Sequence, residues 1–313
     1  CSTLFNIFST PISFSFFKYL ASIINNYDII HIHLPNPTVA FYLLFLNNKK
    51  LYITTHFHAD VSNKIFYFIY KPLEKIVLKR CRKIITTTIS LSNCKTLKDL
   101  KPKINVIPSY LNTDDYGQTN NQKISKNLKK FAKTRNIIFI GRFTKYKNIP
   151  MLIKSFSKLK ENINLLIIGS GSDFKLQSLI KDLKLSSRIK ILKNLNNDEK
   201  RFILDNALFS VLPSSTSEES YGYTQIESMA RGKPVISFDI KNSGVGEINK
   251  NETGILLKVK NSLKECQEDL TLAMKTLIEN KELLEDYSKN ALNESKKYKS
   301  EKIFKLYRKF FKI

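Results

Sequence analysis

Two glutamates that stand eight positions apart, Glu219 and Glu227, are the residues whose type and spacing first suggest chemistry. Between them the pattern predicts that a loop turns into a helix. A helix that begins at a glycine presents backbone N–H groups and the positive end of its dipole, which together form an anion site best suited to phosphate. We therefore predict a phosphate site at Gly222, Tyr223 and Thr224. Glu227 would then lie beside a neighbouring diol, and Glu219 on the other side of the phosphate.

A second charged group lies in residues 141–147, which directly follow the predicted strand Asn136–Ile140. The carboxyl ends of parallel strands form the ligand edge of a sheet, so this loop should bring Arg142 and Lys147 together at that edge. Two fixed cations suit a diphosphate whose negative charge grows as a group departs from it. Gly171 lies in a Gly-Ser-Gly run after the next predicted strand, and by itself it indicates only a tight strand-to-helix turn.

The histidines lie near the ends of predicted strands. His31 and His33 share one face of a strand, but neither a third ligand at a useful spacing nor an Asp-x-Asp motif accompanies them in the sequence. We therefore predict no metal site. His58 follows the next predicted strand, residues 50–55, so its side chain should reach the ligand edge of the sheet.

Predicted strands and helices alternate over most of the chain, which indicates an α/β fold with parallel sheets and helices on both faces. The alternation runs over residues 28–108, stops in the polar, turn-rich residues 111–122, and resumes over residues 136–257. The length of 313 residues favours two domains, so we interpret residues 111–122 as the hinge between them. The tail, residues 263–313, is predicted to be helical.

The composition is that of a globular protein with an unusual charge, because 52 basic and 27 acidic residues leave a net charge of +25. The excess is concentrated in residues 64–103, with eleven basic and two acidic side chains, and in residues 296–312, with eight and one. Such patches attract polyanions. The sequence contains no recognisable nucleic-acid-binding motif, so we expect an anionic membrane surface as the partner rather than nucleic acid. A merely solvated basic surface is the alternative.

Four widely spaced cysteines indicate reduced thiols of a cytoplasmic protein rather than disulfides or a zinc site. No apolar run in the sequence approaches the roughly 18 residues that cross a bilayer, and we identify no signal peptide. We therefore expect a cytoplasmic protein that binds the inner face of the cytoplasmic membrane peripherally.

Residues 213–236 as a whole resemble the E-x7-E signature region of retaining, family-4-type (group 1) glycosyltransferases of the GT-B fold. The match includes Pro-Ser-Ser ahead of Glu219, Ser-Tyr-Gly after it, and Glu-Ser-Met-Ala-Arg-Gly-Lys-Pro-Val-Ile from Glu227 onward. Residues 70–74, Tyr-Lys-Pro-Leu-Glu, resemble a helix of the bacterial surface-polysaccharide and lipopolysaccharide members of that family.

The resemblance implies two Rossmann-like parallel-sheet domains facing a cleft, with the C-terminal helix crossing back to the N-terminal domain. We expect an acceptor-side domain at residues 1–112, a nucleotide-sugar-binding domain at residues 123–290 and the crossing helix at residues 291–313. The family's first strand and its glycine-rich loop have no counterpart before His31, so we expect the N-terminus to be truncated.

The same resemblance implies roles for individual residues. Arg142 and Lys147 match the cations with which the family clamps the donor diphosphate, and the loop of Gly171 matches the one that lets the backbone approach the donor nucleotide. Lys193 and its neighbours match, more loosely, the segment that borders the base. Glu227 is expected to hold the ribose.

Glu219 and His58 are the expected catalytic residues. Glu219 would bind hydroxyl groups of the sugar. His58-Ala-Asp resembles the family's His-Ser-Asp, whose histidine lines the catalytic centre, so His58 would orient the sugar or polarise an acceptor hydroxyl.

The resemblance implies a metal-independent, retaining hexosyltransferase that needs no cofactor. Its donor would be a UDP- or GDP-linked sugar, with mannose among the candidates, and its acceptor a glycan or a lipid-linked glycan of lipopolysaccharide, capsule or exopolysaccharide synthesis. The alternatives are a GT-B sugar-nucleotide 2-epimerase and an inactive sugar-nucleotide-binding or scaffolding subunit.

Overall fold

The chain divides into two compact units in the computed structural model. The N-terminal unit comprises Cys1–Pro108 with Phe304–Ile313, and the C-terminal unit comprises Ser109–Ile303. The structure describes residues 5–7, 10–46, 51–56, 64–112, 117–120, 122, 124–132, 134–160 and 162–313.

The sheet of the N-terminal unit has four parallel strands in the order β3-β4-β5-β6, and a short antiparallel hairpin, β1-β2, precedes them. Its elements in chain order are β1 (Phe5–Ile7), β2 (Thr10–Ile12), α1 (Phe14–Ile23), β3 (Ile30–Leu34), α2 (Pro37–Phe45), β4 (Leu51–Thr55), α3 (Lys64–Arg80), β5 (Lys83–Thr86), α4 (Ile89–Ser92), a 3₁₀ helix (Lys98–Lys103) and β6 (Ile104–Val106). Ile53 and Ile84, in the two central strands, are fully buried and lie in one core with Tyr70 of α3.

The sheet of the C-terminal unit has six parallel strands in the order β12-β11-β10-β7-β8-β9. The elements in chain order are α5 (Lys126–Ala132), β7 (Asn136–Ile140), α6 (Ile149–Phe156), β8 (Asn164–Ile168), α7 (Phe174–Asp182), β9 (Ile189–Leu192), α8 (Asn197–Asn206), β10 (Ala207–Leu212), α9 (Tyr223–Ala230), β11 (Val235–Asp239), α10 (Val245–Ile248), β12 (Gly254–Lys258), α11 (Leu263–Glu279), α12 (Lys281–Ser295) and α13 (Ser300–Phe311). The last residues of α13 belong to the N-terminal unit.

Successive residues of the central strand β7 enter different cores. Ile137 and Phe139 lie in one cluster and Ile138 in another, because side chains alternate between the two faces of a strand. All three are fully buried, so both faces of this sheet are covered. The predicted α/β class with parallel sheets is therefore confirmed in each unit.

The strands that the sequence pattern predicts in the C-terminal unit agree with the structure to within two residues; they are residues 136–140, 164–168, 189–192, 209–212, 234–239 and 254–257. The pattern also predicts a helix over residues 149–160, but α6 ends at Phe156. It predicts another over residues 90–100, where the structure has only α4 followed by turns and the 3₁₀ helix. That 3₁₀ helix contains Pro102, which has no N–H to donate and so disfavours a longer α-helix. The hairpin β1-β2 and helix α5 were not predicted.

The crossing helix expected at residues 291–313 begins later than predicted. Helix α12 continues to Ser295, a 3₁₀ turn follows at Lys296–Tyr298, and α13 starts only at Ser300. Lys299 between them is extended, with φ −59° and ψ 136°, because it pairs with Leu111 in a parallel β-bridge. A partner distant in sequence breaks this helix, so its break has no local signal.

The residues interpreted as a hinge, as far as the structure describes them, are bound to the C-terminal unit. Arg231 donates to both carboxylate oxygens of Asp205 at 2.6 Å and to the backbone oxygen of Gly117 at 2.7 Å. Thr119 donates to Asp205 at 2.7 Å. Residues 113–116, 121 and 123 lie outside the described residues.

None of the helices in the described ranges has the length and apolar character that crossing a bilayer would require.

Candidate functional site

The strand order of the C-terminal unit reverses between β7 and β10. From β7 the chain proceeds to β8 and β9 on one side and later to β10, β11 and β12 on the other. Such a switch point leaves a crevice beyond the carboxyl ends of the two strands, where open α/β sheets bind ligands. The loop that leaves β7 contains Arg142 and Lys147, and the loop that leaves β10 contains Glu219 and Gly222. The fold therefore brings the two predicted charged groups to one place.

Helix α9 begins at Gly222, as predicted. Gly222 has φ 75° and ψ 45°, in the left-handed region that glycine adopts without strain. A Cβ at this position would lie 2.6 Å from Nε2 of the buried Gln225, so no side chain fits. The N–H groups of a first helical turn lack acceptors within the helix, and here Tyr223 and Thr224 provide them at the switch point.

Lys147 and Glu219 form a buried ion pair. Nζ of Lys147 donates to Oε2 of Glu219 at 2.5 Å, and each side chain is 8% exposed. The Ser214 hydroxyl donates to the same oxygen at 2.9 Å, and the Ser243 hydroxyl donates to the backbone oxygen of Glu219. Lys147 is predicted to contact a phosphate, and Glu219 a sugar. In this structure the two side chains instead contact each other, which joins the loops that leave β7 and β10.

Arg142 is held differently from Lys147. Its side chain is exposed, and its Nη2 lies 3.5 Å from the Tyr146 hydroxyl that accepts from it. Lys147 has a carboxylate partner, whereas Arg142 forms no ion pair within the part of the chain that the structure describes. Arg142 is therefore the cation of this loop that is available to an anion from solvent.

The loop of Gly171 packs against the loop of Arg142. The Phe143 N–H donates to the Ser170 oxygen at 2.7 Å, and a Cβ on Gly169 would lie 1.8 Å from the Gly141 oxygen. Gly171 has φ 120°, and a Cβ there would lie 3.2 Å from Cβ of Phe143. The Gly-Ser-Gly run therefore allows the backbones that leave β7 and β8 to touch.

Lys193, after β9, borders the same loop. Its Nζ pairs with Asp173 and lies 5.9 Å from the centre of the Phe143 ring. The hydrogen bond from Lys193 is the main cause that lowers the pKa of Asp173, followed by one from Gln177. The carboxylate therefore stays ionised and fixes Lys193 beside the predicted nucleotide loop.

Glu227 lies in α9 and is mostly buried. Its Oε1 accepts from Nζ of Lys200 at 2.7 Å, and the two side chains are 12% and 22% exposed. No donor among the described residues reaches its second oxygen, Oε2. Glu227 therefore keeps one oxygen for a ligand, whereas Lys200 was not identified from the sequence because it lies 27 positions away.

The N-terminal unit gathers histidines at the carboxyl ends of β3 and β4. Nδ1 of His33 and Nε2 of His56 are 2.7 Å apart, and their rings stack with centres 5.0 Å apart. His31 lies beside His33, with ring centres 4.6 Å apart, and shares a 2.6 Å hydrogen bond with Thr54. The contact between His56 and His33 was not predicted. The position of His56 directly after β4, the strand that pairs with the strand of His33, was a usable signal. His58, the predicted catalytic histidine, lies outside the described residues.

The histidine cluster is neutral at physiological pH. Burial, and then the charges of His33 and His56, lower the pKa of His31 from 6.5 to about 4. Burial also lowers the pKa of His33, and burial together with His33 lowers that of His56. Among the described residues, no group of His, Cys, Asp and Glu has the arrangement of a metal site.

Both halves of the chain match known protein families. Residues 120–294 match the family model described as "Glycosyl transferases group 1", and residues 3–115 match the model described as "Glycosyltransferase Family 4". The chain is 26% identical over 292 residues to O-antigen chain mannosyltransferase C of Escherichia coli, and the aligned region covers 92% of this chain and 76% of that protein. It is 28% identical over 221 residues to the O-antigen chain mannosyltransferase RfbU of Salmonella typhimurium, and the aligned region covers 63% of this chain and 58% of that protein.

Among solved structures, HepE of Anabaena in complex with UDP superposes with a TM-score of 0.75 at 15% identity, over 95% of this chain and 82% of that one. Likeness at this level of identity shows the fold. It confirms the predicted GT-B class, and the family match confirms the resemblance drawn from residues 213–236.

The buried pair yields a stability prediction. Lys147→Met leaves the Glu219 carboxylate buried without its cation and should destabilise the chain by about 3–5 kcal/mol. Adding Glu219→Gln should restore most of that loss, because the uncompensated charge is then removed. Urea unfolding of the full chain measures both changes.

The matched control is Lys281→Met, which breaks the exposed Lys281–Glu285 pair, whose side chains are 89% and 57% exposed. It should cost less than about 1 kcal/mol. Equal losses at the buried and exposed pairs would contradict the buried-pair interpretation.

His31 yields a pH prediction. The unfolded chain has a histidine pKa near 6.5 and the folded chain one of about 4, so the unfolded state binds more protons between these values. Stability contributed by neutral His31 is therefore present above pH 6.5 and is lost as the pH falls towards 4. His31→Gln should reduce the loss of unfolding free energy between pH 6.5 and pH 4 by about 1–2 kcal/mol. This value is smaller than the full pKa shift implies, because His31 is partly exposed to solvent. Urea unfolding at several pH values measures it, and parallel profiles for the two proteins would refute it.

Proposed function

The chain belongs to the group 1 glycosyl transferases, whose family model spans residues 120–294, and we propose that it transfers a hexose from a nucleoside-diphosphate sugar to a glycan or lipid-linked acceptor of a surface polysaccharide. The two O-antigen mannosyltransferases, at 26% and 28% identity, support mannose as the sugar and a lipopolysaccharide-type product. The observation that carries the proposal is the start of α9 at the switch point, with the exposed Arg142 on the neighbouring loop.

In this proposal the donor diphosphate binds the N–H groups of Tyr223 and Thr224. Arg142 adds an exposed cation from the loop after β7, and the helix dipole adds a partial positive charge. Lys147 acts less directly, since its ammonium holds Glu219 at 2.5 Å. The loop of Gly171, which packs against the Arg142 loop, would let the protein backbone approach the donor nucleotide.

The two glutamates divide the hydroxyl groups of the donor. Oε2 of Glu227 is open to the ribose diol while Oε1 stays on Lys200. Oε2 of Glu219 accepts from Lys147 and Ser214, and its Oε1 has no donor among the described residues, so that oxygen is open to a sugar hydroxyl. Each glutamate is thus oriented by a lysine and keeps one acceptor for the substrate.

The proposed reaction retains the anomeric configuration by attack from the face of the leaving group. The bond from the sugar C1 to the diphosphate oxygen breaks, and the acceptor hydroxyl oxygen bonds to C1 on the same face. The acceptor proton passes to the leaving phosphate oxygen, so the products are a glycoside and a nucleoside diphosphate. Arg142 and the start of α9 stabilise the charge that grows on the diphosphate, so the proposal requires no metal ion. His58 would orient the sugar or polarise the acceptor hydroxyl.

Transfer assays with UDP- and GDP-linked hexoses and a lipid-linked acceptor test this function. We expect transfer that persists in EDTA. We also expect a product whose anomeric configuration, measured by NMR, matches that of the donor sugar. Arg142→Ala should weaken nucleotide binding by roughly 10- to 100-fold, as expected for loss of a charge-assisted contact, without lowering the melting temperature. Isothermal titration with UDP and GDP measures the affinity.

The matched control is Lys264→Ala, which removes another exposed cation from the C-terminal unit. Its affinity and transfer rate should equal those of the wild type. Unchanged affinity in Arg142→Ala would contradict the proposed diphosphate site. Isomerised donor without transfer would indicate the epimerase, and binding without either reaction would indicate a binding subunit.

A membrane surface is the proposed location of the acceptor. One face of α13 packs on the sheet of the N-terminal unit through Phe310 and Phe311, whose rings contact Tyr52. The opposite face is basic and exposed, and its cations are Lys302, Lys305, Arg308 and Lys309. Such a face complements anionic lipid headgroups, at about 1 kcal/mol for each cation near the surface.

Sedimentation with vesicles tests this location. The wild type should bind phosphatidylglycerol vesicles and not phosphatidylcholine vesicles. The triple variant Lys305→Gln/Arg308→Gln/Lys309→Gln should lose roughly 100-fold in affinity. The charge-matched control is Lys264→Gln/Lys275→Gln/Lys281→Gln. Equal losses in the two triple variants would contradict α13 as the docking face, and binding to duplex DNA alone would favour nucleic acid.

A further inference from the structure

Two tyrosines on either side of Gly222 bind the same short segment of backbone. The Ser109 N–H donates to the Tyr221 hydroxyl at 3.0 Å, and that hydroxyl lies 3.4 Å from the Ser109 oxygen to which it donates. The Tyr223 hydroxyl donates to the Tyr110 oxygen at 2.8 Å. The glycine that begins α9 is therefore flanked by two side chains with neighbouring targets.

Both targets lie in Ser109–Tyr110–Leu111, where the chain enters the C-terminal unit after Pro108. We call these residues the crossing segment. The Leu111 N–H donates to the Tyr298 oxygen at 2.9 Å, and Leu111 pairs with Lys299 in a parallel bridge. Shortly after Lys299, at Phe304, the chain returns to the N-terminal unit. Both passages between the units are therefore joined at the crossing segment.

The hydrogen bonds of Tyr221 depend on a protonated hydroxyl, and its surroundings maintain one. Burial raises the pKa of Tyr221 above its usual value. The hydroxyl therefore both accepts from and donates to Ser109 at any physiological pH. A phenylalanine at this position would keep the ring and its packing but lose both hydrogen bonds.

We infer that Tyr221 and Tyr223 are positioning residues that couple donor binding at the start of α9 to the crossing segment. This inference rests on the proposed function, because the ligand at Gly222 is the donor diphosphate. The diphosphate needs the N–H groups of Tyr223 and Thr224 in one orientation. The two hydroxyls hold the backbone on both sides of Gly222 in that orientation by fastening it to Ser109 and Tyr110.

The coupling acts in both directions. If the crossing segment improves binding at Gly222, then a bound nucleotide must restrain the crossing segment to the same extent, because coupling free energies are reciprocal. Donor binding would thereby be sensed at the point where the chain passes between its units.

Hydrogen exchange of the full chain, with and without saturating UDP or GDP, tests the inference. In the wild type the nucleotide should slow exchange of the amides of residues 109–111. In Tyr221→Phe/Tyr223→Phe that response should disappear, and nucleotide affinity should fall by roughly 2- to 30-fold. The amides of β7 serve as the internal reference and should exchange alike in both proteins. Tyr223→Phe alone removes an exposed contact and serves as the variant if the double substitution unfolds the chain.

The matched control is Tyr287→Phe, at a half-buried tyrosine of α12 that packs on the same core. It should leave both affinity and the exchange response unchanged. An undiminished exchange response in the double variant would overturn the inference, as would a wild type that binds nucleotide without any response at residues 109–111. A wild type that binds neither UDP nor GDP would overturn the proposed function together with the inference.

Discussion

The buried pair of Lys147 and Glu219 is the interaction on which the candidate site depends. It joins the loop after β7 to the loop after β10, the two strands between which the strand order of the sheet reverses. A buried charge is tolerated only when it is paired and hydrogen-bonded, and here Ser214 provides the additional bond at 2.9 Å. Each partner therefore requires the other, and the two loops cannot shift independently. Gly222 follows Glu219 closely in sequence, so the start of α9 inherits a fixed position.

The cations of the site are of two kinds. Lys147 and Lys200 each hold a glutamate, at 2.5 Å and 2.7 Å, and so orient carboxylates rather than meet the ligand first. Arg142 is exposed and remains available to an incoming anion. A site with two lysine-paired carboxylates and one exposed cation suits a ligand that combines hydroxyl groups with a diphosphate.

The N-terminal unit has a different chemical character. Its sheet ends in neutral histidines that hydrogen-bond one another, and α13 covers part of that sheet with aromatic rings. The ring of Phe311 lies 5.3 Å from that of His31, which helps to explain the low pKa of this histidine through burial. The basic residues of α13 lie on the opposite face of the helix. One helix thus both completes a core and presents a charged surface.

The sequence by itself determined the strands of both parallel sheets, the start of α9 at Gly222 and the family, because these follow from local patterns: apolar runs between turns, and a glycine before a helix. The tertiary structure alone decided which charges meet. Lys147 and Glu219 are 72 positions apart, and each was assigned a role without the other. Tyr221 and Ser109 are 112 positions apart, and neither was assigned a role from the sequence. It also decided where the last helix breaks, since Lys299 is extended at the point where it pairs with Leu111. Contacts between residues so distant in sequence are made by the packing of whole elements, so local sequence patterns do not specify them.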